Sequence, residues 1–189
     1  MQTGYCAMSG AAIINTSGFQ LYPDITSENG EETRLLKADA KEALAFVRGF
    51  KWAPPVKRLY LAWGVGGIVV LFLVIFERKI AGAPDDRLWI VVGDLPPAYF
   101  VTESVSNPAE AIDAYCGLME DWIWAVRNGG DVSECYPVGV PPDEEHAAMI
   151  DSRISSIRAH LLPRIHQFIG GRDSEYGKAT DDEAGSFEP

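Results

Sequence analysis

Carboxylates are the most numerous side chains in this sequence that can do chemistry, with 27 aspartates and glutamates against 16 lysines and arginines. Asp113 and Glu120 lie seven residues apart in a stretch of helical periodicity, which places them on one helix face. A carboxylate pair performs acid–base catalysis only where burial or crowding separates the two pKa values. Because both residues lie off the apolar stripe of that helix, the pattern favours a solvated helix face over a catalytic pair.

A distinctive segment at 91–100, VVGDLPPAYF, supplies a further acidic candidate, Asp94. Its side chain either caps a turn or presents a carboxylate at a rigid rim, and the turn cap is the favoured interpretation. Tyr99 follows two prolines in the same segment, and Trp52 stands beside another proline pair. Aromatic side chains next to rigid loops are typical of partner-binding patches. The predicted binding residues are therefore Trp52, Asp94 and Tyr99, and no catalytic residue is predicted.

Motifs for cofactors and metals are missing from the sequence. The glycine cluster at 64–67 resembles a phosphate-binding loop, but a strand is predicted after it and the Gly-Lys-Ser/Thr ending is absent, which favours a turn. His146 follows two glutamates, yet no second histidine stands four residues away. Cys6, Cys116 and Cys135 form no Cys-x-x-Cys pair, which favours reduced thiols. The sequence thus predicts neither a cofactor nor a metal site.

The charge balance indicates which partners the chain is able to attract. The net charge is −11, and the basic clusters are limited to Lys57-Arg58 and Arg78-Lys79. An acidic surface repels phosphate backbones, so nucleic acid is not an expected partner, whereas a basic protein is favoured. The N-terminus lacks the basic and long apolar segments of a secretory signal, which favours a cytoplasmic location.

An uncharged stretch of eighteen residues, Leu59 to Phe76, reaches the lower length limit of a membrane-spanning helix. Two buried strands joined by a turn are the favoured alternative. Glycines cluster at 64–67 as turn residues do, and the apolar run that follows is rich in β-branched residues. Basic residues flank both ends, so the charge asymmetry that orients a membrane helix is absent. A strand that is apolar at every position must be covered on both faces, which predicts a central strand.

Periodicity and turn residues predict an α+β domain in the order α-β-β-β-β-α-α, with about four antiparallel strands and three helices packed on the sheet. Residues 1–30 are interpreted as a flexible leader, 31–169 as one globular domain and 170–189 as a disordered acidic tail. The predicted helices are Glu31 to Phe50, a second between Asn107 and Gly129, and a third that starts near Asp143 and ends or kinks at Pro163. The predicted strands are Val56 to Trp63, Ile68 to Glu77, Leu88 to Val92 and Ala98 to Thr102.

Four features together resemble a family of bacterial domains of unknown function. They are the Gly64-Val65-Gly66-Gly67 cluster, the long apolar strand after it, the segment LWIVVGDLPPAYF, and the NPAEA start of the second helix. The resemblance covers roughly residues 31–165 and rests mainly on the segment GDLPPAY. It implies a soluble bacterial domain and carries over no activity, cofactor or site residue.

The leading functional hypothesis is a non-enzymatic protein-binding or accessory factor of the immunity type, because negative charge is high and no catalytic constellation is recognised. One alternative is a small hydrolase or transferase with an acidic site around Asp94 and Tyr99. Another is a membrane-anchored protein that spans the bilayer at residues 59–76. The oligomeric state is left open.

Overall fold

The computed structural model describes residues 14–82, 85–103 and 105–169. The fold is α+β, as predicted, with a five-stranded antiparallel sheet and three α-helices. The chain divides into two compact units, Met1–Ser106 and Asn107–Pro189, which are called the sheet unit and the helical unit below. The first part of the predicted leader, at 1–13, and the predicted tail at 170–189 lie outside the described residues.

The first helix of the sheet unit, α1, spans Gly30–Arg48, close to its predicted bounds. Asn29 caps its N-terminus, since the side chain accepts a hydrogen bond from the Glu31 amide at 2.9 Å. The apolar residues that recur at helical spacing in α1, such as Leu36, Ala40 and Leu44, are buried, and one acidic residue, Asp39, is buried with them. Helical periodicity therefore identifies the packed face. The burial of Asp39 on that face follows from a contact with a distant part of the chain, the Gly67 amide.

The sheet is a meander in which each strand pairs with the next along the chain. Short connections predict this arrangement, because parallel pairing needs a long crossover. The observed order is β1-β2-β3-β4-β5, and every pair is antiparallel. The strands are β1 Gln20–Leu21, β2 Val56–Val65, β3 Val69–Phe76, β4 Arg87–Gly93 and β5 Ala98–Val101.

The long apolar stretch folds as strands β2 and β3, as predicted. Seven of the eight β3 residues are buried, which fits a strand covered on both faces. The two strands meet around the glycine turn, with Leu59 paired to Val74 and Val65 paired to Val69. Across the described ranges, every helix falls short of the combined length and apolar character needed to cross a bilayer.

Strand β1 was not predicted, and it lies in the segment interpreted as a flexible leader. Gln20 pairs with Leu61, and the Tyr22 amide donates to the Leu59 carbonyl at 2.9 Å. Ile25, a few residues later, is fully buried and belongs to the core cluster of the sheet unit. A two-residue strand has no periodicity of its own, so only its pairing with β2 defines it.

The helical unit contains the other two long helices, α2 and α3. Helix α2 spans Pro108–Asn128 and has the predicted signals at both ends. Asn107 caps it by accepting hydrogen bonds from two backbone amides, and Gly129 ends it in the left-handed conformation with φ 66°. Helix α3 spans Glu144–Ser156, and the side chain of its N-cap, Asp143, accepts a hydrogen bond from the His146 amide at 2.9 Å.

Pro163 does not end the last helix, contrary to one of the two predicted outcomes. A π-helical segment, Ile157–Leu161, follows α3 directly, and residues 162–169 are α-helical again. Proline lacks an amide hydrogen and clashes with the preceding turn, which disrupts the regular hydrogen-bond ladder. The wider π-turn just before it is a known way for a helix to accommodate such a disruption.

Candidate functional site

Four aromatic rings gather in the sheet unit, and they are called the aromatic patch: Phe46, Phe50, Trp52 and Tyr99. The Trp52 ring is stacked on Phe50 with centroids 5.1 Å apart and an interplanar angle of 23°. Tyr99 lies 4.9 Å from Phe50 and 5.2 Å from Trp52. Phe46 lies 5.1 Å from Phe50. Two of the three predicted binding residues, Trp52 and Tyr99, are therefore brought into contact.

Three different elements supply the aromatic patch. Phe46 lies in the last turn of α1, Phe50 and Trp52 follow the helix after its Gly49 cap, and Tyr99 lies on β5, an edge strand of the sheet. Phe46 and Tyr99 pack against the apolar core, whereas Trp52 keeps 38% of its surface exposed. The patch thus has an anchored base and an exposed apolar rim.

The third predicted binding residue, Asp94, is exposed in the loop between β4 and β5. Its backbone amide donates to the Ile68 carbonyl at 3.0 Å. Gly93, just before it, has a φ of 137°, and a Cβ atom there would stand 2.7 Å from the Ile68 carbonyl carbon. The loop is therefore a close backbone approach that requires glycine. A binding role for Asp94, as for Trp52 and Tyr99, stays a prediction.

The backbone amides of the glycine turn after β2 donate hydrogen bonds to carboxylates of α1. The Gly66 amide donates to Glu32 and the Gly67 amide donates to Asp39, each at 2.8 Å. Burial raises the pKa of Asp39 and the Glu32 charge adds to that rise, while the Gly67 amide opposes it. In a phosphate-binding loop such amides face an anionic ligand. Here they hold side chains of the same chain, which agrees with the interpretation as a structural turn.

A second buried aspartate in the sheet unit, Asp85, accepts several hydrogen bonds. Its carboxylate receives the Thr102 hydroxyl at 2.6 Å, the Asp86 amide at 2.8 Å and the Arg87 guanidinium at 2.9 Å. Burial alone would raise the pKa of Asp85, but these donors outweigh it and lower the pKa. The side chain is 5% exposed and Thr102 is fully buried, so the cluster serves to position the backbone.

Asp113 and Glu120 on α2 are joined by an arginine that the sequence analysis did not connect to them. The Arg158 guanidinium donates to Asp113 at 2.5 Å and to both oxygens of Glu120, one of them at 2.8 Å. Both carboxylates are partly exposed, as predicted for a solvated face, yet both pair with one guanidinium, which binds Glu120 through two nitrogens. The arrangement stabilises the contact between α2 and the last helix.

The remaining candidates take structural roles. The His146 ring lies 2.7 Å from the carboxylate of Asp143, its own N-cap. The same residue, through its backbone amide and then its ring, lowers the pKa of Asp143. Burial raises the pKa of the Cys116 thiol to about 12, which makes it an inert core residue. Among the residues that the structure describes, no three His, Cys, Asp or Glu side chains are arranged to hold a metal ion.

A groove of about 380 Å³ opens in the helical unit and is called the α2 groove. It lies between one side of α2 and the 3₁₀ turn Val132–Glu134 that follows. Its lining includes carboxylates and no basic side chain. The Cys135 thiol lies 3.7 Å from the Asp121 carbonyl. Its lining includes Asp121, Trp124, Asp131, Glu134 and Cys135.

Trp124 is 65% exposed on α2 and is not among the predicted binding residues. A signal was present, because the predicted apolar stripe of that helix contains Trp122 and excludes Trp124. A tryptophan off the packed face of an amphipathic helix must meet solvent or a partner. The exposed indole is therefore available for contact with a ligand on this side of α2.

Comparisons with known proteins give no relative for this chain. No protein-family model, no curated protein and no solved structure matches it significantly. The site is therefore interpreted from its own geometry.

Proposed function

We propose that this protein is a non-enzymatic binding protein that recognises a protein partner through the aromatic patch. It would act as an accessory or immunity-type factor. The observation that carries the proposal is the exposed Trp52 in contact with Phe50 and Tyr99 beside an edge strand. Aromatic residues are enriched in interface centres, where they bury a large area at a low cost in side-chain entropy.

The charge of the chain supports a basic partner. With a net charge of −11, the molecule attracts cationic proteins and repels nucleic acid. Opposite charges raise the rate of encounter, while the aromatic patch supplies the apolar burial that slows dissociation. The resemblance of the GDLPPAY segment to a bacterial family remains compatible with this function, and membership of that family stays a prediction.

The test compares proteins captured from a lysate by immobilised wild type and by Trp52→Ala. Ile68→Ala is the matched control, because Ile68 is an exposed apolar residue outside the patch, at 52% exposure. We expect that wild type and the control retain at least one protein at 0.5 M salt and that Trp52→Ala loses it. Salt at about that level reduces the range of interactions between surface charges to a few ångströms, so purely electrostatic contaminants are released. Equal recovery of every captured protein by all three baits would overturn the proposal.

A further inference from the structure

We propose that the α2 groove binds an arginine side chain of a basic protein partner. This inference rests on the proposed protein-binding function in one respect, which is that a basic protein partner supplies the arginine. The groove itself lies in the helical unit and is built from residues separate from the aromatic patch.

The indole of Trp124 provides one part of the arginine site. Tryptophan is the best aromatic partner for a cation, since its ring face carries the negative end of the quadrupole. At 65% exposure, the ring is accessible in the folded protein. A guanidinium is planar and weakly hydrated, so it stacks on such a face better than an ammonium does.

Carboxylates provide the other part. Asp121 stands one helical turn before Trp124 on α2. On the other side of the groove, Asp131 caps the 3₁₀ turn and Glu134 is its last residue. Within the described part of the chain, neither Asp121 nor Glu134 pairs its side chain with a base. Hydrogen bonds from Ser133 lower the pKa of Asp131, which keeps it ionised.

The combination selects a cation over other occupants. The groove has room for a guanidinium and its methylene stem, because its volume is about 380 Å³. Its three carboxylates repel anions, while the apolar lining favours the stem of a long side chain. The exposed carboxylates of Asp113 and Glu120 differ from these, since both already pair with Arg158.

Cys135 allows the test to report on the groove alone. Its thiol is partly exposed and lines the groove, whereas Cys116 is buried with a raised pKa and does not react. In a Cys6→Ser background, the alkylation rate of Cys135 with iodoacetamide is measured against increasing hexa-arginine peptide. We expect saturable protection, together with weaker protection by hexa-lysine and none by hexa-glutamate.

Variants then assign the protection to the proposed groups. Trp124→Ala is expected to lower the affinity for hexa-arginine about two- to fivefold, which is the range of an exposed cation–π contact. The double variant Asp121→Asn/Glu134→Gln should lower this affinity further. The control Glu145→Gln, which removes an exposed charge on α3, should leave the affinity unchanged. Circular dichroism checks that each variant is folded.

The outcomes separate this inference from the proposed function. Equal protection in wild type, Trp124→Ala and the double variant would overturn the arginine site. Equal affinity for hexa-lysine and hexa-arginine would overturn the preference for arginine. Trp52→Ala should keep full protection of Cys135, so loss of the aromatic-patch partner and loss of the arginine site are distinguishable.

Discussion

Trp52 and Trp124 are both exposed tryptophans, at 38% and 65%, but their surroundings differ. Trp52 is stacked against other rings in the sheet unit, so the proposed protein partner would meet an apolar surface. Trp124 stands on α2 beside the carboxylates of the α2 groove, so the proposed arginine would meet an aromatic face in a negative field. The same residue type is thus suited to apolar burial in one unit and, under our proposal, to cation binding in the other.

The carboxylates of the two units differ in the same way. In the sheet unit, Glu32, Asp39 and Asp85 turn toward backbone amides and fix the positions of loops. In the helical unit, Asp113 and Glu120 each form an ion pair with Arg158 at the surface. Buried polar groups with full hydrogen bonding define a unique backbone, whereas surface charges are weakly constrained. We therefore expect substitutions to cost more in the sheet unit.

The largest effect is expected at Gly93, where the sheet unit requires a conformation that other residues avoid. Gly93→Ala should destabilise the protein by about 3 kcal/mol, because it combines an unfavourable φ with a collision at Ile68. The matched control is Gly117→Ala within α2, where an added Cβ meets nothing within 4 Å. This control should raise the free energy of unfolding by about 0.5–1 kcal/mol, measured by urea denaturation. Similar effects of the two substitutions would contradict the contrast between the units.

An intermediate effect with opposite signs is expected at the two buried aspartates. The pKa of Asp85 is lowered in the folded state, so its carboxylate stabilises the protein above the unfolded pKa of about 4 and this contribution is lost as the pH falls through the folded pKa. Asp85→Asn should therefore cost about 1–2 kcal/mol at pH 7 and less in acid.

The pKa of Asp39 is raised, so the folded state binds its proton more tightly and stability falls as the pH rises from about 4 through the folded pKa. Asp39→Asn should accordingly be neutral or stabilising at pH 7, since the amide oxygen still accepts from Gly67 without a buried charge. Urea denaturation of wild type and both variants at pH 7 and pH 4.5 checks these signs. A loss of stability at pH 7 in Asp39→Asn as large as that in Asp85→Asn would show that the Asp39 charge is needed.

The smallest effect is expected at Arg158 in the helical unit. Arg158→Met removes the cation between Asp113 and Glu120 and keeps the length of the side chain. Because all three groups are partly exposed, the cost should be about 1 kcal/mol or less, and it should shrink at 0.5 M salt. Thermal unfolding at low and high salt measures it. A loss above that of Asp85→Asn would contradict the expected order.

Local chemistry explains why much of the fold was predictable. Helix α2 carries an Asn cap, a proline in its first turn and a glycine after its end, and the structure begins and ends it at those signals. Strand β3 is apolar at every position, which fits a buried central strand. Trp52 and Tyr99 were each predicted as binding residues because both stand beside rigid loops. Their contact with each other was not predictable, because 47 residues separate them along the chain.

The features that were missed depend on partners remote in sequence. Strand β1 exists through its pairing with β2, Asp39 is buried because its carboxylate binds a turn 28 residues away, and Arg158 reaches α2 across 45 residues. No local pattern encodes such contacts.

Local signals in the sequence place the three long helices and the strands β2 to β5, because periodicity, caps and glycine conformation act within a few residues. The carboxylates that bind amides or arginine, and those that face an open groove, could be told apart only once the chain was folded. A charge acquires its role from the groups that the fold places beside it, and those groups come from distant parts of the chain.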